Sequence, residues 1–507
     1  MANLEASVVL LSTLLSVAAH ASPPPTPSAA APAKPPSTVG EGKLISAVVL
    51  TGHNNHNWAF TSRLHAETLR ATGRFSVEVC DDPAEMLADA AKAGQYQLFV
   101  LDYNDAHQPK RWGDKAEANF VKAVRGGAGV VSIHAANNAF DGWAEYEQML
   151  GLLWRKGAGH GKYHTFDVNI SSEPHPITQG LTTFAAQNDE LYHGLSNPRR
   201  TGVVTLATAL SDKANGGIGT TEPMLMTTSF GQGRIVSTTL GHVWEGDQAT
   251  KQSVLSPAFR SMLARSAEWA ATGAVTLPVT WSDTRKHNTL TPEQTKAGWT
   301  LLFDGKATPL RGYKKTGWPA EGWAIEGSTP AEGVIRHIAG KGGGDLATPE
   351  QYENFEFSVD WNAAAGANSG IIYLSTEDRN YPWETGLEMQ ILDNQGHKDG
   401  GNSKTSAGAL YDLVATSADV VRPAGQWNTA IVRVTAGKLG KRIEHFLNGV
   451  RVVDVELGSP EYVAAHAKSK WPAMKEFATR SKGHITLQDH GDDVRFRNIM
   501  VKKIEGK

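Results

Sequence analysis

Hydrophobic and polar residues form two different patterns in the two halves of the chain. In the first half, nearly continuous apolar runs such as 43–52 alternate with segments of helical spacing such as 58–72. A continuous apolar run predicts a strand buried on both faces, and strands alternating with helices predict a parallel sheet. We expect a late apolar run at 233–242 to join that sheet. The pattern therefore predicts an α/β domain with a doubly wound sheet at residues 43–282.

The second half shows many short strand-like runs instead. After a polar linker at 283–294, apolar runs of 5–9 residues follow one another, separated by Gly, Asn and Asp. The dipeptide Asn448-Gly449 is a strong signal for a tight hairpin turn. One segment, 460–477, has helical character. Strands of this kind predict an all-β sandwich or jelly roll over residues 295–507.

The N-terminus has the pattern of a targeting segment. Residues 8–19 form an apolar run of 12 residues, which is too short to span a bilayer and ends at Ala-His-Ala, a small-residue cleavage pattern. Residues 22–42 are rich in Pro and Ala, which predicts an extended tether. We expect residues 1–21 to be a signal peptide that directs export to the periplasm or the cell surface, and we expect no membrane span. A leader that is retained is the alternative.

The composition of the chain mainly excludes certain partners and certain cysteine chemistry. Lys and Arg number 49 against 52 Asp and Glu, a formal charge of −3, so charge gives no argument for a nucleic-acid partner. Hydrophobic residues at 40% and charged residues at 20% are typical of a folded globular chain. Cys80 is the single cysteine. It excludes an intrachain disulfide and offers little to a thiolate metal cluster.

Polar residues follow several of the predicted parallel strands. His53 and Asp102 follow the first and third strands, His134 follows the fourth, and His242 ends the late strand. Ligands bind outside the carboxyl ends of strands in open α/β sheets. We therefore expect the three histidine side chains to lie within about 10 Å of one another in one polar pocket, with Glu190 in a loop that could close over it. A packed or capping role is the alternative for any single histidine.

Several motifs in the first half are jointly specific: His134-Ala135-Ala136, His160-Gly161, His175-Pro176-Ile177-Thr178, Asp189-Glu190-Leu191-Tyr192, Thr239-Leu240-Gly241-His242 and Glu268-Trp269-Ala270-Ala271-Thr272-Gly273. With these motifs, residues 43–282 resemble the ThuA-like (trehalose utilisation) domain, a relative of the class I glutamine amidotransferases. The resemblance implies a role with oxidised (3-keto) disaccharides. Amidotransferases place a nucleophilic cysteine at the strand end that His134 occupies here, so we exclude their chemistry.

A second set of motifs covers the second half: Gly298-Trp299, Leu302-Phe303-Asp304-Gly305, Asn368-Ser369-Gly370, Glu388-Met389-Gln390-Ile391-Leu392-Asp393, Ala407-Gly408-Ala409-Leu410-Tyr411-Asp412 and Leu487-Gln488-Asp489-His490-Gly491. With these motifs, residues 295–507 resemble the 3-keto-disaccharide hydrolase domain, a concanavalin-like jelly roll. The resemblance implies that the partner of this chain is a small oxidised sugar.

The strand around Glu388 supplies the candidate chemistry of the second half. Alternation places Glu388 and Gln390 on one face and their apolar neighbours on the other. The spacing E-x-Q-x-x-D is similar to the E-x-D-x-x-E strand of laminarinase-type enzymes, but two acids are changed. Double displacement needs two carboxylates about 5 Å apart, so the change disfavours that mechanism. The candidate catalytic residues are Glu388, His490, Asp393 and His397, and the candidate substrate-binding residues are Gln390, Asn368, Gln488, Arg497, His53, Asp102, His134, Glu190 and His242.

A 3-keto sugar removes the need for a nucleophile pair. Its ketone acidifies the C2 proton, so a base can start a β-elimination, and water can then add to the enone. This route needs one base, one acid and an electrophile for the enolate oxygen. The electrophile could be Arg497 or a divalent metal ion, although no motif identifies metal ligands.

We expect an exported enzyme that cleaves 3-keto-glycosides by hydrolysis or by elimination and hydration. One alternative is that the sandwich is a non-catalytic glycan-binding module attached to a catalytic ThuA-like half. Another is that the ThuA-like half is a degenerate scaffold and the sandwich is the sole enzyme.

Overall fold

The structure is a computed structural model, and it describes residues 44–105, 108–281, 283 and 285–505. The predicted signal peptide and tether lie outside the described residues. Within the described chain, none of the helices has the length and continuous apolarity that a bilayer crossing requires.

The first half contains strands and helices that alternate along most of its length. Its strands are β1 (Ile45–Leu50), β2 (Phe75–Cys80), β3 (Leu98–Leu101), β4 (Gly129–Ile133), β5 (Gly159–His160), β6 (His164–Ile170), β7 (Phe184–Asp189), β8 (Tyr192–His193), β9 (Val204–Leu210), β10 (Thr221–Phe230) and β11 (Gly233–Thr238). Its helices are α1 (Trp58–Arg70), α2 (Pro83–Ala88), α3 (Ala90–Ala93), α4 (Asp114–Arg125), α5 (Ala144–Leu150), α6 (Gln252–Leu255) and α7 (Pro257–Thr272).

Nine of these strands form one sheet in the order β2-β1-β3-β4-β11-β10-β9-β6-β7. Strands β2, β1, β3, β4 and β11 run parallel to one another, which confirms the predicted parallel arrangement and the place of the late strand. The remaining strands are antiparallel, which the sequence did not predict. Strand β10 reaches β11 through a tight turn at Gly231, where φ is +61°, and so short a connection allows only antiparallel pairing.

Apolar side chains cover both faces of the parallel strands. In β1, Ala47 and Val49 belong to one apolar cluster and Val48 and Leu50 to another, because successive side chains point to opposite faces. The first cluster includes residues of α1 and α7, and the second includes residues of α4 and α5. The carboxyl ends of the parallel strands therefore stay at one edge, where loops meet.

The second half is almost entirely β structure. Its strands are β12 (Trp299–Leu301), β13 (Arg311–Gly312), β14 (Trp323–Glu326), β15 (Val334–His337), β16 (Leu346–Ala347), β17 (Phe355–Ala363), β18 (Asn368–Ser375), β19 (Leu387–Leu392), β20 (Asn428–Ala436), β21 (Lys441–Leu447), β22 (Val450–Glu456), β23 (His484–Leu487) and β24 (Val494–Lys503). Its helices are α8 (Pro292–Lys296) and α9 (Pro460–Ala467). The predicted helical segment 460–477 thus ends earlier, with only a short 3-10 turn at 471–473 after it.

The strands of the second half form two sheets around an apolar core. One has the order β14-β15-β24-β17-β20-β21-β22, with β12 also paired to β24, and the other has the order β13-β16-β23-β18-β19. Phe357 and Trp361 of the larger sheet share the core with Ile371 and Tyr373 of the smaller one. The predicted hairpin is confirmed, since Asn448 and Gly449 connect β21 to β22 with φ of 51° and 83°.

Buried polar contacts join the two halves. Asp419 of the second half accepts hydrogen bonds from Lys251, at 3.1 Å, and from the side chain of Gln248. Lys251 is fully buried and also donates to the carbonyl of Val421. A second pair joins Arg422 to Glu67 of α1. Removing one residue of such a pair leaves the charge of the other residue buried and uncompensated.

Candidate functional site

Three histidines and one carboxylate meet at the carboxyl edge of the parallel strands. His56, His134, Glu190 and His242 each offer one ligand atom, and these atoms lie within 4.8 Å of one another. Nε2 of His134 is 3.3 Å from Nδ1 of His242 and 3.8 Å from Oε2 of Glu190. Nδ1 of His242 is also 3.3 Å from Oε2 of Glu190. We call these four residues the histidine cluster.

The position of His134, directly after β4, fixes its tautomer. Its φ of 43° places a non-glycine residue in the left-handed region, at a cost of about 1–3 kcal/mol. Nδ1 lies 2.7 Å from the carbonyl oxygen of Thr239. A carbonyl only accepts, so Nδ1 must hold the proton. The lone pair of Nε2 therefore faces the cluster, where the hydroxyl of Tyr192 lies 3.0 Å away.

A buried carboxylate fixes Glu190 and His242 relative to each other. Asp189 accepts hydrogen bonds from the backbone N–H groups of Glu190, Gly241 and His242, at 2.8–3.0 Å. Its burial raises its pKa to about 7. These three bonds tie the end of β7 to the loop after β11, so both ligands are held in place by one side chain.

Glu190 lies between the histidines. Its Oε1 is 2.9 Å from Nδ1 of His160, while Oε2 faces His134 and His242. Burial opposes the charge of Glu190, but the hydrogen bonds from His160 and His242 outweigh it and hold its pKa well below the usual range. Burial, then the charges of His56 and His242, lowers the pKa of His134 well below 6.5. The cluster therefore pairs an ionised carboxylate with a neutral imidazole.

The structure adds one residue to the predicted site. His134 and His242 converge as predicted, and His56, which the sequence interpretation did not include, joins them. The predicted distance of about 10 Å from His53 to these two histidines stays a prediction. Nδ1 of His53 instead donates to the carbonyl of Asn104 at 2.7 Å. His56 reaches the cluster because Asn54 accepts from both its backbone N–H and its Nδ1, at 3.1 and 3.2 Å.

Asp102 lies outside the cluster and contacts Asn54, the residue that holds His56. It accepts hydrogen bonds from Thr61 at 2.6 Å and from the side chain of Asn54 at 3.2 Å. Burial raises its pKa to about 7. Asp102 therefore orients the residue that holds His56, and the substrate contact predicted for it stays a prediction.

A cavity of about 450 Å³ opens beside the cluster. Its volume lies within the range of small-molecule sites. Trp244 stands at the rim, half exposed, with its ring stacked on that of His242 at 5.7 Å. The lining residues are Asn55, His56, Asn104, Asn138, Trp154, His160, Glu190, Tyr192, His242 and Trp244.

The second candidate site lies on the face of the smaller β sheet that points away from the core. Strand pairing sets Gln390 opposite Gly370 and Glu388 opposite Ile372. Met389, between them in sequence, packs in the core. The prediction that Glu388 and Gln390 share a polar face is therefore confirmed.

Gly370 makes room for the Glu388 carboxyl. A Cβ atom at position 370 would lie 2.3 Å from Oε1 of Glu388. On the other side, the backbone N–H of Gln488 donates to the carbonyl of Gly370 at 2.9 Å. Gln390 and Gln488 thus flank Gly370 on its two sides, and the Glu388 carboxyl lies over it.

Burial decides the protonation of Glu388. It raises the pKa of Glu388 from 4.5 to about 8; Lys470 opposes the rise and Asp345 adds to it. Asp345 has its own pKa raised to about 7, again by burial, and accepts from the backbone N–H of Asp489 at 2.7 Å. The sequence interpretation did not include Asp345.

Amide groups beside Glu388 lack partners. Among the described residues, both side-chain polar atoms of Gln390, Oδ1 of Asn368 and Oε1 of Gln488 are buried without a hydrogen bond. Native proteins contain few such atoms, and each one calls for an explanation such as a ligand or an ion. A sugar, with a hydroxyl on almost every carbon, could satisfy them.

The other predicted residues of the sandwich have different surroundings. His490 is exposed, with Nε2 3.5 Å from the side-chain nitrogen of Asn368. Asp393 accepts hydrogen bonds from the backbone N–H groups of Gly366 and of residues 395 and 396, which fixes two turns. Nδ1 of His397 accepts from the backbone N–H of Asp399. Catalytic roles for Asp393 and His397 stay predictions.

Arg497 requires a correction. It lies on β24 in the larger sheet, where it pairs with Asp360, with Nε and Oδ2 3.5 Å apart. Its guanidinium also stacks over the ring of Trp427 at 4.0 Å. Phe496, the preceding residue, is in the core, so Arg497 points away from the smaller sheet. The prediction that it stabilises an enolate beside Glu388 is wrong.

Comparison with known proteins divides the chain in the same way. The trehalose utilisation (ThuA) family matches residues 46–270, and the 3-keto-alpha-glucoside-1,2-lyase-like domain matches residues 298–502. A curated 3-keto-disaccharide hydrolase of Bacteroides thetaiotaomicron is 32% identical over 239 residues, covering 41% of this chain and 79% of the relative. These matches confirm both resemblances expected from the motifs.

Two solved structures are also similar. A candidate glycosyl hydrolase from Parabacteroides distasonis is 31% identical and covers 43% of this chain and 100% of its own, with a TM-score of 0.39. A candidate ThuA-like protein from Parabacteroides merdae is 31% identical and covers 48% of this chain and 96% of its own, with a TM-score of 0.42.

Proposed function

Because the chain belongs to the ThuA family through residues 46–270 and to the 3-keto-alpha-glucoside-1,2-lyase-like family through residues 298–502, we propose that it is a carbohydrate-active enzyme that cleaves 3-keto-glycosides. The 32% identical relative named 3-keto-disaccharide hydrolase supports this substrate class. The observation that carries the proposal is the buried Glu388 carboxyl, surrounded by amide groups without partners.

The proposed reaction begins at C2 of the oxidised sugar. His490, which is exposed beside Asn368, accepts the C2 proton, and the electron pair moves toward the C3 oxygen. The enolate then forms a C1=C2 double bond as the C1–O bond breaks. Glu388 is mostly protonated at neutral pH because its pKa is about 8, so it donates a proton to the departing oxygen.

Water completes the net hydrolysis. Its hydroxyl adds to C1 of the enone and a proton returns to C2, which gives the free 3-keto sugar. In this scheme the unpartnered Nε2 of Gln390 donates to the enolate oxygen, and Asn368 and Gln488 bind hydroxyl groups. A polar donor that has no partner before substrate binds can interact with the developing charge without first breaking another bond.

The test is the rate of the full-length Glu388→Gln variant on 3-keto-trehalose and on an aryl 3-keto-glucoside, with the non-oxidised glycosides as controls. The rate should fall roughly 10²–10⁴-fold, as expected for loss of a proton-transfer group. Exposed Glu461 on α9 provides the matched control, Glu461→Gln. An unchanged rate would remove Glu388 from the mechanism. Sugar binding without turnover in the parent would favour the glycan-binding alternative.

We also propose the domain limits and the names of the folds. Each sheet takes its strands from one half of the chain, which supports domains at residues 43–282 and 295–507 joined by a linker at 283–294. The parallel strand order supports a doubly wound first domain, and the two facing sheets support a concanavalin-like jelly roll.

We propose export with loss of residues 1–21, so N-terminal sequencing of the native protein should begin at Ser22. A retained Met1 would contradict export by this route.

A further inference from the structure

We propose that the histidine cluster, formed by His56, His134, Glu190 and His242, binds one divalent transition-metal ion, and that this ion binds an oxidised sugar through neighbouring carbonyl and hydroxyl oxygens. The metal site is independent of the function proposed for the sandwich. Only the sugar class rests on that function. The chain would then contain two sites for the same class of molecule, one in each half.

The spacing of the donor atoms fits a single ion. Bonds of about 2.0–2.1 Å in tetrahedral geometry place two ligand atoms about 3.3 Å apart. Nε2 of His134 and Nδ1 of His242 are 3.3 Å apart, and the same distance separates Nδ1 of His242 from Oε2 of Glu190. All four donor atoms lie within 4.8 Å of one another.

The hydrogen bonds of the rings direct their lone pairs to the cluster. Nδ1 of His134 donates to the carbonyl of Thr239, so its lone pair is on Nε2. Nδ1 of His56 lies 3.2 and 3.0 Å from the amide oxygens of Asn54 and Asn55, which places the ring proton there and the lone pair on Nε2. Metal-binding histidines donate their other N–H group in this way.

The cluster is also held in position before any ligand arrives. Asp189 fixes the backbone of both Glu190 and His242. Outside the cluster, His160 contacts Oε1 of Glu190 at 2.9 Å and orients that carboxylate. A set of ligands that is fixed by outer hydrogen bonds loses little conformational entropy when it binds an ion.

The donor set selects the class of metal. Three imidazoles and one carboxylate suit Zn²⁺, Fe²⁺, Co²⁺ or Ni²⁺, whereas Mg²⁺ and Ca²⁺ prefer sets of oxygen ligands. The single cysteine, Cys80, is at the end of β2 and is not one of the four clustered ligands. A thiolate site is therefore not the alternative here.

The adjoining cavity suits a polyhydroxylated ligand. Its lining combines the aromatic rings of Trp154 and Trp244 with the side-chain amides of Asn55 and Asn138. Aromatic faces pack against the C–H groups of a sugar ring, and amides bind its hydroxyls. A ketone next to a hydroxyl offers one ion a carbonyl oxygen and a hydroxyl oxygen, whereas the non-oxidised sugar has only hydroxyl oxygens at these positions.

Metal analysis of the full-length protein tests the first part. After chelation and dialysis against Zn²⁺, Co²⁺ or Ni²⁺ in turn, the parent should retain about one ion per chain. The His134→Ala and Glu190→Gln variants should each lose most of it, and Co²⁺ should show the visible absorption of a nitrogen- and oxygen-ligated site. His53→Ala is the matched control, because His53 lies near the same edge but outside the cluster, and it should retain the ion.

Folding must be checked in the same samples. If His134→Ala does not fold, as judged by circular dichroism, His242→Gln with native circular dichroism replaces it. Absence of a stoichiometric ion from the parent would overturn the proposal and leave a proton-sharing network. Equal metal retention in the folded cluster variants would also overturn it.

Binding of 3-keto-glucose tests the second part. Calorimetry in the Glu388→Gln background, where turnover through the sandwich is removed, should show metal-dependent binding of 3-keto-glucose and at least a tenfold weaker response to glucose. The sandwich can also bind the sugar without a metal, so the deciding comparison is between metal-loaded and metal-free protein: a binding curve that does not change when the metal is removed would reject the chelation model but leave the metal site. Because metal content is measured without any activity, failure of the function proposed for the sandwich would not affect that result.

Discussion

Nδ1 of His242 lies 3.3 Å from Nε2 of His134, although the two residues are 108 positions apart in the sequence. Their strands, β4 and β11, are parallel neighbours, with Ile133 paired to Thr238. Both strands therefore end at the same edge of the sheet, and each histidine follows its strand within a few residues. The site is assembled by strand order more than by local sequence.

Asp189 should be a main source of stability for this edge. Asp189→Ala would leave three buried N–H groups, those of Glu190, Gly241 and His242, without their acceptor. Since an unsatisfied buried donor costs about 1–3 kcal/mol, we expect a loss of at least about 2 kcal/mol in the free energy of unfolding. Urea unfolding of the full chain measures it. Asp212→Ala, which removes an exposed turn bond to Ala214, should cost less than half as much; equal losses would contradict the expectation.

The contact between the two halves should depend on Lys251. This residue is fully buried and bonded to Asp419. Lys251→Met should lower the free energy of unfolding by about 3 kcal/mol, because Asp419 loses its partner. The comparison is Lys441→Met, which breaks an ion pair with the exposed Glu353 and should cost less than about 1 kcal/mol. If the two variants lose the same stability, Lys251 has no special role in joining the halves.

Gly370 should be needed for the position of Glu388. In Gly370→Ala, the new methyl group would meet Oε1 of Glu388 at 2.3 Å, so the carboxyl must move. A displacement near 1 Å at a catalytic group can cost about 10²-fold in rate, while overpacking should cost about 1–3 kcal/mol of stability. Turnover of an aryl 3-keto-glucoside and thermal unfolding measure the two effects. Gly401→Ala has open space around its Cβ and should leave both unchanged; full activity in Gly370→Ala would count against the predicted contact.

Much of the architecture could be predicted because it follows from periodicity. Continuous apolar runs predicted the parallel strands. The alternation of polar and apolar residues predicted that Glu388 and Gln390 share one face of their strand. The choice between His53 and His56 could not be predicted, because a local turn held by Asn54 decides it. Arg497 was assigned wrongly because a motif near the chain's end does not reveal which of two sheets its strand joins. Asp345 was missed since it becomes significant only through burial and pairing across β16 and β23.

Titration of Glu388 should make stability depend on pH in a defined window. Burial raises its pKa from 4.5 to about 8, with Lys470 opposing and Asp345 adding to the shift. Between these values the folded protein holds a proton that the unfolded chain has released. The contribution of this proton to stability is therefore complete below pH 4.5 and is lost as the pH rises through about 8. The slope of the unfolding free energy against pH that this group causes is at most about 1.4 kcal/mol per pH unit.

Glu388→Gln cannot titrate, so its free energy of unfolding, measured in urea from roughly pH 5 to 8, should fall less steeply than that of the parent. Glu461→Gln, on the exposed surface of α9, should keep the parent slope, and an unaltered slope in Glu388→Gln would mean that Glu388 is ionised in the folded protein at neutral pH.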